Sequence, residues 1–338
     1  MMHRLARLLP PEPAHHLTLA ALKTLPVRKR PVDPRLKTDV WGHSFASPLG
    51  MAAGFDKQGQ AMDALLRLGF GFTEVGSITP HPQPGNERPR VFRAPAIGGV
   101  INRYGFNSDG HDLVAARLRV WRHDNPTAAL GVNLGMNKDC QDPLGAYVAG
   151  IERFEDLATY LVVNLSSPNT AGLRDQQTTG LRDLVEGLQR ARRFDVPLLL
   201  KVAPDLMPQQ IETIAGTALD AGLDGLIISN TTLDRPFGLP QSLQTQAGGL
   251  SGAPLTAKAL ACLKAFYGYT QGRIPLVGVG GISSGADAVA RLKAGADLLQ
   301  VYTALLYKGL GLIEEIHRAI LAEMARTDTP NPRELKQI

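Results

Sequence analysis

The sequence predicts an α/β protein: a (β/α)8 TIM barrel preceded by an N-terminal helical extension. Three observations carry this. Eight short apolar runs alternate with helix-like stretches from residue 47 onward. Seven of these runs are nearly uninterrupted in apolar residues, as strands buried on both faces are. Polar side chains recur just past the ends of the runs, where a barrel gathers them into one mouth. Composition agrees: 44% of 338 residues are hydrophobic, only 6% are aromatic, and 35 are glycine. Such a chain is too apolar to be disordered and has no collagen-like glycine period. Its two cysteines, Cys140 and Cys262, form no CxxC or Cys/His cluster, so neither a disulfide scaffold nor a structural zinc site is expected.

Taken in order, the strand candidates are residues 48–53, 72–78, 129–134, 161–165, 198–202, 225–229, 276–279 and 298–302. Helical patterns fall between them at 61–68, 112–121, 181–191, 209–221, 257–266, 286–294 and 312–324. An open doubly wound sheet is the alternative, but no G-x-G-x-x-G follows the first strand. Residues 79–110 and 231–254 are too long for simple βα loops and are expected to cover the active face.

Charge separates the first 38 residues from the rest. They hold eight basic side chains against Glu12 and Asp33, whereas the other 300 residues hold 28 basic and 29 acidic groups. Leu5, Leu8 and Leu9, then Leu17, Leu19, Leu22 and Leu25, are interleaved with the basic residues, and Pro10, Pro11 and Pro13 split them. So broken a run is neither a secretory signal nor a membrane span. It fits two short amphipathic helices lying on an anionic membrane surface, or a helix packed on the domain. The expected division is residues 1–38 as this extension and 39–338 as the barrel. Nucleic acid is not an expected partner, because the arm lacks stacking aromatics and the body is slightly acidic.

The strand ends carry the candidate chemistry. Asp56 and Lys57 follow the first strand, Ser77 ends the second, and Asn133 closes the third. Asn164, Ser166, Ser167 and Asn169 follow the fourth, Lys201 ends the fifth, and Ser229, Asn230 and Thr231 end the sixth. After the seventh strand the sequence V-G-V-G-G-I-S-S-G (277–285) suits a phosphate held by backbone N–H groups, as does V-Y-T (301–303) after the eighth. Lys201 reads three ways: a Schiff-base lysine, a fixed cation beside a flavin, or a plain salt bridge. Its local sequence does not choose among them.

Eight stretches carry a specific resemblance. They are S-P-L-G-M-A-A-G-F-D-K (47–57), E-V-G-S-I-T-P-H-P-Q-P-G-N (74–86), P-R-V-F-R (89–93), I-N-R-Y-G-F-N-S (101–108), N-L-S-S-P-N-T-A-G-L-R (164–174), S-N-T-T (229–232), G-G-L-S-G-A-P-L (248–255) and G-V-G-G-I (278–282). In this order they resemble dihydroorotate dehydrogenase, in its quinone-dependent, membrane-associated class. The resemblance implies oxidation of dihydroorotate to orotate in pyrimidine (UMP) synthesis. It implies FMN held by Ala53, Gly54, Phe55, Asp56, Lys57, Ser77, Asn133, Asn164, Lys201, Ser229, Gly252, Gly281, Tyr302 and Thr303. It implies a substrate gripped by Lys57, by Asn102, Arg103, Tyr104, Gly105 and Phe106, and by Asn164, Asn169, Asn230 and Thr231. Asn amides suit the edge of a planar imide because they both donate and accept.

Ser167 discriminates within the family. Dihydroorotate loses a proton from C5 and a hydride from C6, so the resemblance makes Ser167 the catalytic base. Soluble members use cysteine on this loop and quinone-using members serine; residues 165–174 contain no cysteine. The same resemblance gives the basic arm a role in leading a membrane quinone toward the flavin, with Arg93, Tyr302 and His15 or His16 beside the path. It further implies a monomer bound peripherally to the cytoplasmic side of the inner membrane. No metal is expected. The rivals are a soluble fumarate- or NAD-linked dihydroorotate dehydrogenase and a Schiff-base aldolase centred on Lys201.

Overall fold

The structure, a computed structural model, describes residues 8–167, 180–236 and 238–337. Among these, eight parallel strands close into a barrel in the order β3 (Leu49–Met51), β4 (Phe72–Ile78), β7 (Leu130–Leu134), β8 (Tyr160–Asn164), β9 (Leu198–Val202), β10 (Gly225–Ile228), β12 (Leu276–Val279) and β13 (Leu298–Val301). The expected spans agree at 72–78, 198–202 and 276–279, and elsewhere shift by one or two residues. Every residue of these eight strands is buried. That is why the runs show no polar alternation.

The floor of the barrel is aromatic. A hairpin of β1 (Thr38–Val40) and β2 (His43–Phe45) brings Trp41 and Phe45 against Phe72 and Tyr160. Trp41 Nε1 donates to Asp224 O at 2.7 Å and fixes the hairpin. Those rings explain two strand glycines: a Cβ on Gly50 would lie 2.4 Å from the Phe72 ring, and one on Gly131 2.2 Å from that of Tyr160. The floor is an aromatic plug, which leaves the opposite, C-terminal end for chemistry.

Over that end lies a small antiparallel sheet, β5 (Val91–Ala94), β6 (Gly99–Asn102) and β11 (Gly249–Gly252), in the order β11-β6-β5. It is built from the two segments expected as long loops. Its strands have only four residues each, with glycine at several positions, so they lack the periodicity that sequence reading relies on.

Of the two arm helices expected, the described residues contain one, α1 (Pro11–Thr24). Pro11 stands in its first turn, where a missing N–H costs nothing. Glu12, the one acidic residue in the first 32, is buried on the helix underside against Arg90, which leads into β5 of the sheet that lids the barrel. Residues 26–38 run along the barrel wall: Arg30 N donates to Arg67 O, and Leu36 is fully buried in the main core. No helix among the described residues is long and apolar enough to cross a membrane.

Candidate active site

One continuous cavity of about 780 Å³ runs from the barrel mouth to the underside of α1. Its inner part is polar. Four side chains from neighbouring strands form a ladder: Asn133 Nδ2 donates to Glu74 Oε1 at 2.9 Å, Ser77 Oγ donates to Asn133 Oδ1, and Asn164 Nδ2 donates to Ser77 Oγ at 3.0 Å. Glu74 Oε2 also accepts from Tyr160 OH at 3.0 Å and Gln300 Nε2 at 2.5 Å. Asn230 Nδ2 reaches Asn164 Oδ1 at 3.3 Å and Ser166 Oγ at 3.0 Å. These bonds fix the amide planes that face the cavity.

Two lysines enter this space. Lys201 pairs in register with Asn164 and lines the cavity. Burial lowers its pKa, opposed by the Glu74 carboxylate. Lys57 Nζ donates to Gly54 O at 2.6 Å and sits 4.1 Å over the Tyr104 ring. Burial first, then Arg90, brings its pKa to about 8, against Glu12 and Asp56. Ser167 is buried and on the cavity wall.

The wall near the seventh and eighth strands is backbone. Gly252 and Gly281 adopt φ of +94° and +74°, and a Cβ would meet Gly98 O at 2.3 Å or Thr256 Cα at 2.4 Å. Ser251 Oγ and Thr303 Oγ1 are 2.9 Å apart beside them. Only glycine fits such conformations at such spacing.

Toward α1 the lining turns apolar, with Ala14, Leu17, Ala21 and Leu22 facing Leu65, Leu68, Leu305 and Leu310. His15 packs edge-on to Phe55, 5.4 Å between ring centres, and lies 6.4 Å from Tyr302. Burial above all, with Lys57 and His16 adding to it, lowers its pKa to about 3, so it is a neutral ring at working pH. Arg93 Nη1 donates to Leu9 O at 2.7 Å and lines the same stretch.

Of the residues singled out from sequence, the cavity wall includes Ala53, Gly54, Phe55, Lys57, Ser77, Asn102, Tyr104, Gly105, Phe106, Asn164, Ser167, Lys201, Ser229, Asn230, Thr231, Gly252, Gly281, Tyr302 and Thr303. Three stand behind it. Asp56 is fully buried and accepts from Gln60 N (2.8 Å) and Ala61 N (2.7 Å), shaping the turn that carries Lys57. Asn133 acts through Ser77 and Asn164. Arg103 points outward to Pro89 O and Gln246 Oε1 and stacks on Phe92, holding the lid strands together. Asn169 lies outside the described residues. Sequence reading missed Glu74, Tyr160 and Gln300. The signal was Glu74, a charged residue within an otherwise uncharged strand run, which needs a built-in polar partner.

The family model for Dihydroorotate dehydrogenase matches residues 35–324. This chain belongs to the dihydroorotate dehydrogenase family. It is 50% identical over 324 residues to the Dihydroorotate dehydrogenase (quinone) of Parvibaculum lavamentivorans, covering 95% of this chain and 92% of the relative. To the mitochondrial Dihydroorotate dehydrogenase (quinone) of Mus musculus it is 48% identical over 335 residues, covering 95% and 85%. The crystal structure of DHODH from Eimeria tenella in complex with ferulenol superposes with a TM-score of 0.90 at 37% identity, covering 96% of this chain and 94% of that one. Family membership accounts for the shared barrel, and the lid segments fall within the matched span.

Proposed function

We propose that this protein oxidises dihydroorotate to orotate with FMN and passes the two electrons to a membrane quinone, in pyrimidine synthesis. The observation that carries the reading is the continuity of the cavity: a polar chamber at the barrel mouth opens into an apolar passage roofed by α1. Relatives at 46–50% identity bear the quinone-dependent name, which favours this reading over a soluble acceptor and over an aldolase.

The residues present fit FMN. Positive-φ glycines at 252 and 281 leave no room for a Cβ beside the wall suited to a phosphate. Lys201, buried and facing the cavity, makes no side-chain hydrogen bond among the described residues, so its charge is available to a bound ring. Ala53, Gly54, Phe55, Lys57, Ser77, Asn164, Ser229, Gly252, Gly281, Tyr302 and Thr303 would hold the cofactor directly, with Asp56 and Asn133 supporting them. When bound, the flavin supplies the two-electron acceptor for the substrate hydride.

This chain's own residues do the rest. Asn164 and Asn230, oriented by their mutual bond and by Ser166, present amides that donate to and accept from a planar imide. Asn102 and Phe106, with Asn169 from the 164–174 segment, complete the grip. Lys57 supplies the cation for the substrate carboxylate. Ser167 takes the C5 proton; its burial keeps competing water from the same face. Lys201 holds positive charge next to the developing negative charge.

The arm serves the second half-reaction. Leu8 and Leu25, at the two ends of α1, are 81% and 58% exposed, apolar groups on a basic segment that suit an anionic bilayer surface. The protein works as a monomer, peripheral to the cytoplasmic side of the inner membrane. Removing residues 1–26 tests this and spares Leu36. The truncated protein should still be reduced by dihydroorotate, should lose binding to anionic vesicles, and should be reoxidised far more slowly by a long-tailed quinone. Unchanged turnover with that quinone in vesicles would refute the role of the arm.

A further inference from the structure

Arg291, on the helix Gly285–Lys293, is the largest fully buried side chain among the described residues. Among the described residues it forms no ion pair: the carboxylate of Asp287 favours its charge from a distance, while Asp287 Oδ2 accepts from Ser283 N at 2.9 Å and Ser283 Oγ at 3.0 Å. Nη2 donates to Gly280 O and to Thr256 O, both at 2.8 Å, while Nε and Nη1 donate to nothing among the described residues. A buried cation left this way is costly unless an anion stands near. One peptide further on, Thr256 Oγ1 donates to Gly281 O at 2.7 Å.

These two bonds fix two successive peptide planes. In a trans peptide the carbonyl and the following N–H point in opposite directions. Holding Gly280 O back toward Arg291 turns the Gly281 N–H the other way, and holding Gly281 O on Thr256 does the same for Ile282. Gly280, Gly281 and Ile282 all line the cavity, and neither amide has an acceptor among the described residues. Both residues flanking the first plane are glycines with positive φ (+99° and +74°), so no side chain holds that plane against flipping.

We propose that Arg291 and Thr256 are positioning residues for a phosphate monoester: they lock the Gly281 and Ile282 amides toward it, and Arg291 adds the countercharge from behind. The inference rests on the FMN reading and assigns the selectivity for the phosphorylated flavin to two residues that do not touch it. The test compares FMN with riboflavin. Holoenzyme is equilibrated with mixtures of the two flavins, and the bound fraction of each is read after rapid filtration. Wild type should strongly prefer FMN. Arg291→Met should reduce that preference ~10- to 100-fold, the scale of a hydrogen bond to a charged group, and Thr256→Val by up to ~10-fold. Arg291→Lys, which restores the charge, should recover part of it. Riboflavin affinity should stay within about threefold throughout, since the ring site is untouched. An unchanged preference in both the Arg291→Met and the Thr256→Val proteins, or equal weakening of both flavins, overturns the inference. Should the Arg291→Met protein not fold, Thr256→Val decides alone. A wild-type protein that holds neither flavin refutes the FMN reading itself.

Discussion

Replacing Glu12 with alanine should free the arm while leaving the barrel intact. Glu12 Oε1 accepts from Arg90 Nε at 3.1 Å and Nη2 at 3.0 Å, and the two side chains are only 9% and 4% exposed. Breaking a buried pair by removing one partner costs about 3–5 kcal/mol. Arg90 keeps its bonds to Pro84 O (2.7 Å) and Asn86 O (2.9 Å), so the loss belongs at the lower end, about 3 kcal/mol. The contact to Arg88, a 64% exposed side chain, adds little. About 3 kcal/mol corresponds to roughly 100-fold in the opening equilibrium of α1. Hydrogen exchange should therefore show amides of residues 15–24 losing ~100-fold protection, with strands such as β8 unchanged. Reoxidation by a long-tailed quinone should slow in parallel, while reduction by dihydroorotate persists. Undiminished protection in α1 would show that the apolar contacts alone hold the arm. A uniform loss across the barrel would show that the arm is part of the folding core.

Three other outcomes follow from the site. Ser167→Ala should retain flavin and bind orotate, yet reduce the flavin at least ~100-fold more slowly in a stopped-flow trace; near-normal reduction removes Ser167 as the base. Lys201→Ala should lose flavin or slow its reduction, and a fully loaded, normally reduced variant would refute the role of that cation. Lys57 titrates near pH 8, below its ordinary value, because burial disfavours its charge. Substrate carboxylate binds the protonated form, so the KM for dihydroorotate should be flat below about pH 8 and rise up to tenfold per unit above it. A KM that stays level as pH rises through that range excludes Lys57 from the carboxylate site.

Much of this was legible in the sequence because the barrel strands are buried on both faces. Runs such as Leu198–Val202 announce themselves, and Lys201 within one of them points to a site by its cost alone. The glycines after the seventh strand were legible for the same kind of reason, since a close backbone approach leaves few alternatives. The lid sheet was not. Its β11 pairs antiparallel with β6 across about 150 residues of chain, Gly249 with Asn102, and no local pattern encodes such a partner. The Glu12–Arg90 pair and the carbonyls held by Arg291 were hidden likewise, because each joins elements distant in sequence through one side chain. Within residues 1–38, charge gave no sign that 26–38 belong to the barrel wall; Leu36 does so through packing alone.

On the proposed function, one cavity couples dihydroorotate oxidation to a quinone through a bound flavin. The most direct measurement of that coupling is the visible spectrum of the purified protein under anaerobic conditions. The expected result is a yellow protein whose flavin absorbance bleaches on addition of dihydroorotate and returns when a quinone is added. A colourless protein, or a flavin that dihydroorotate leaves oxidised, would contradict it.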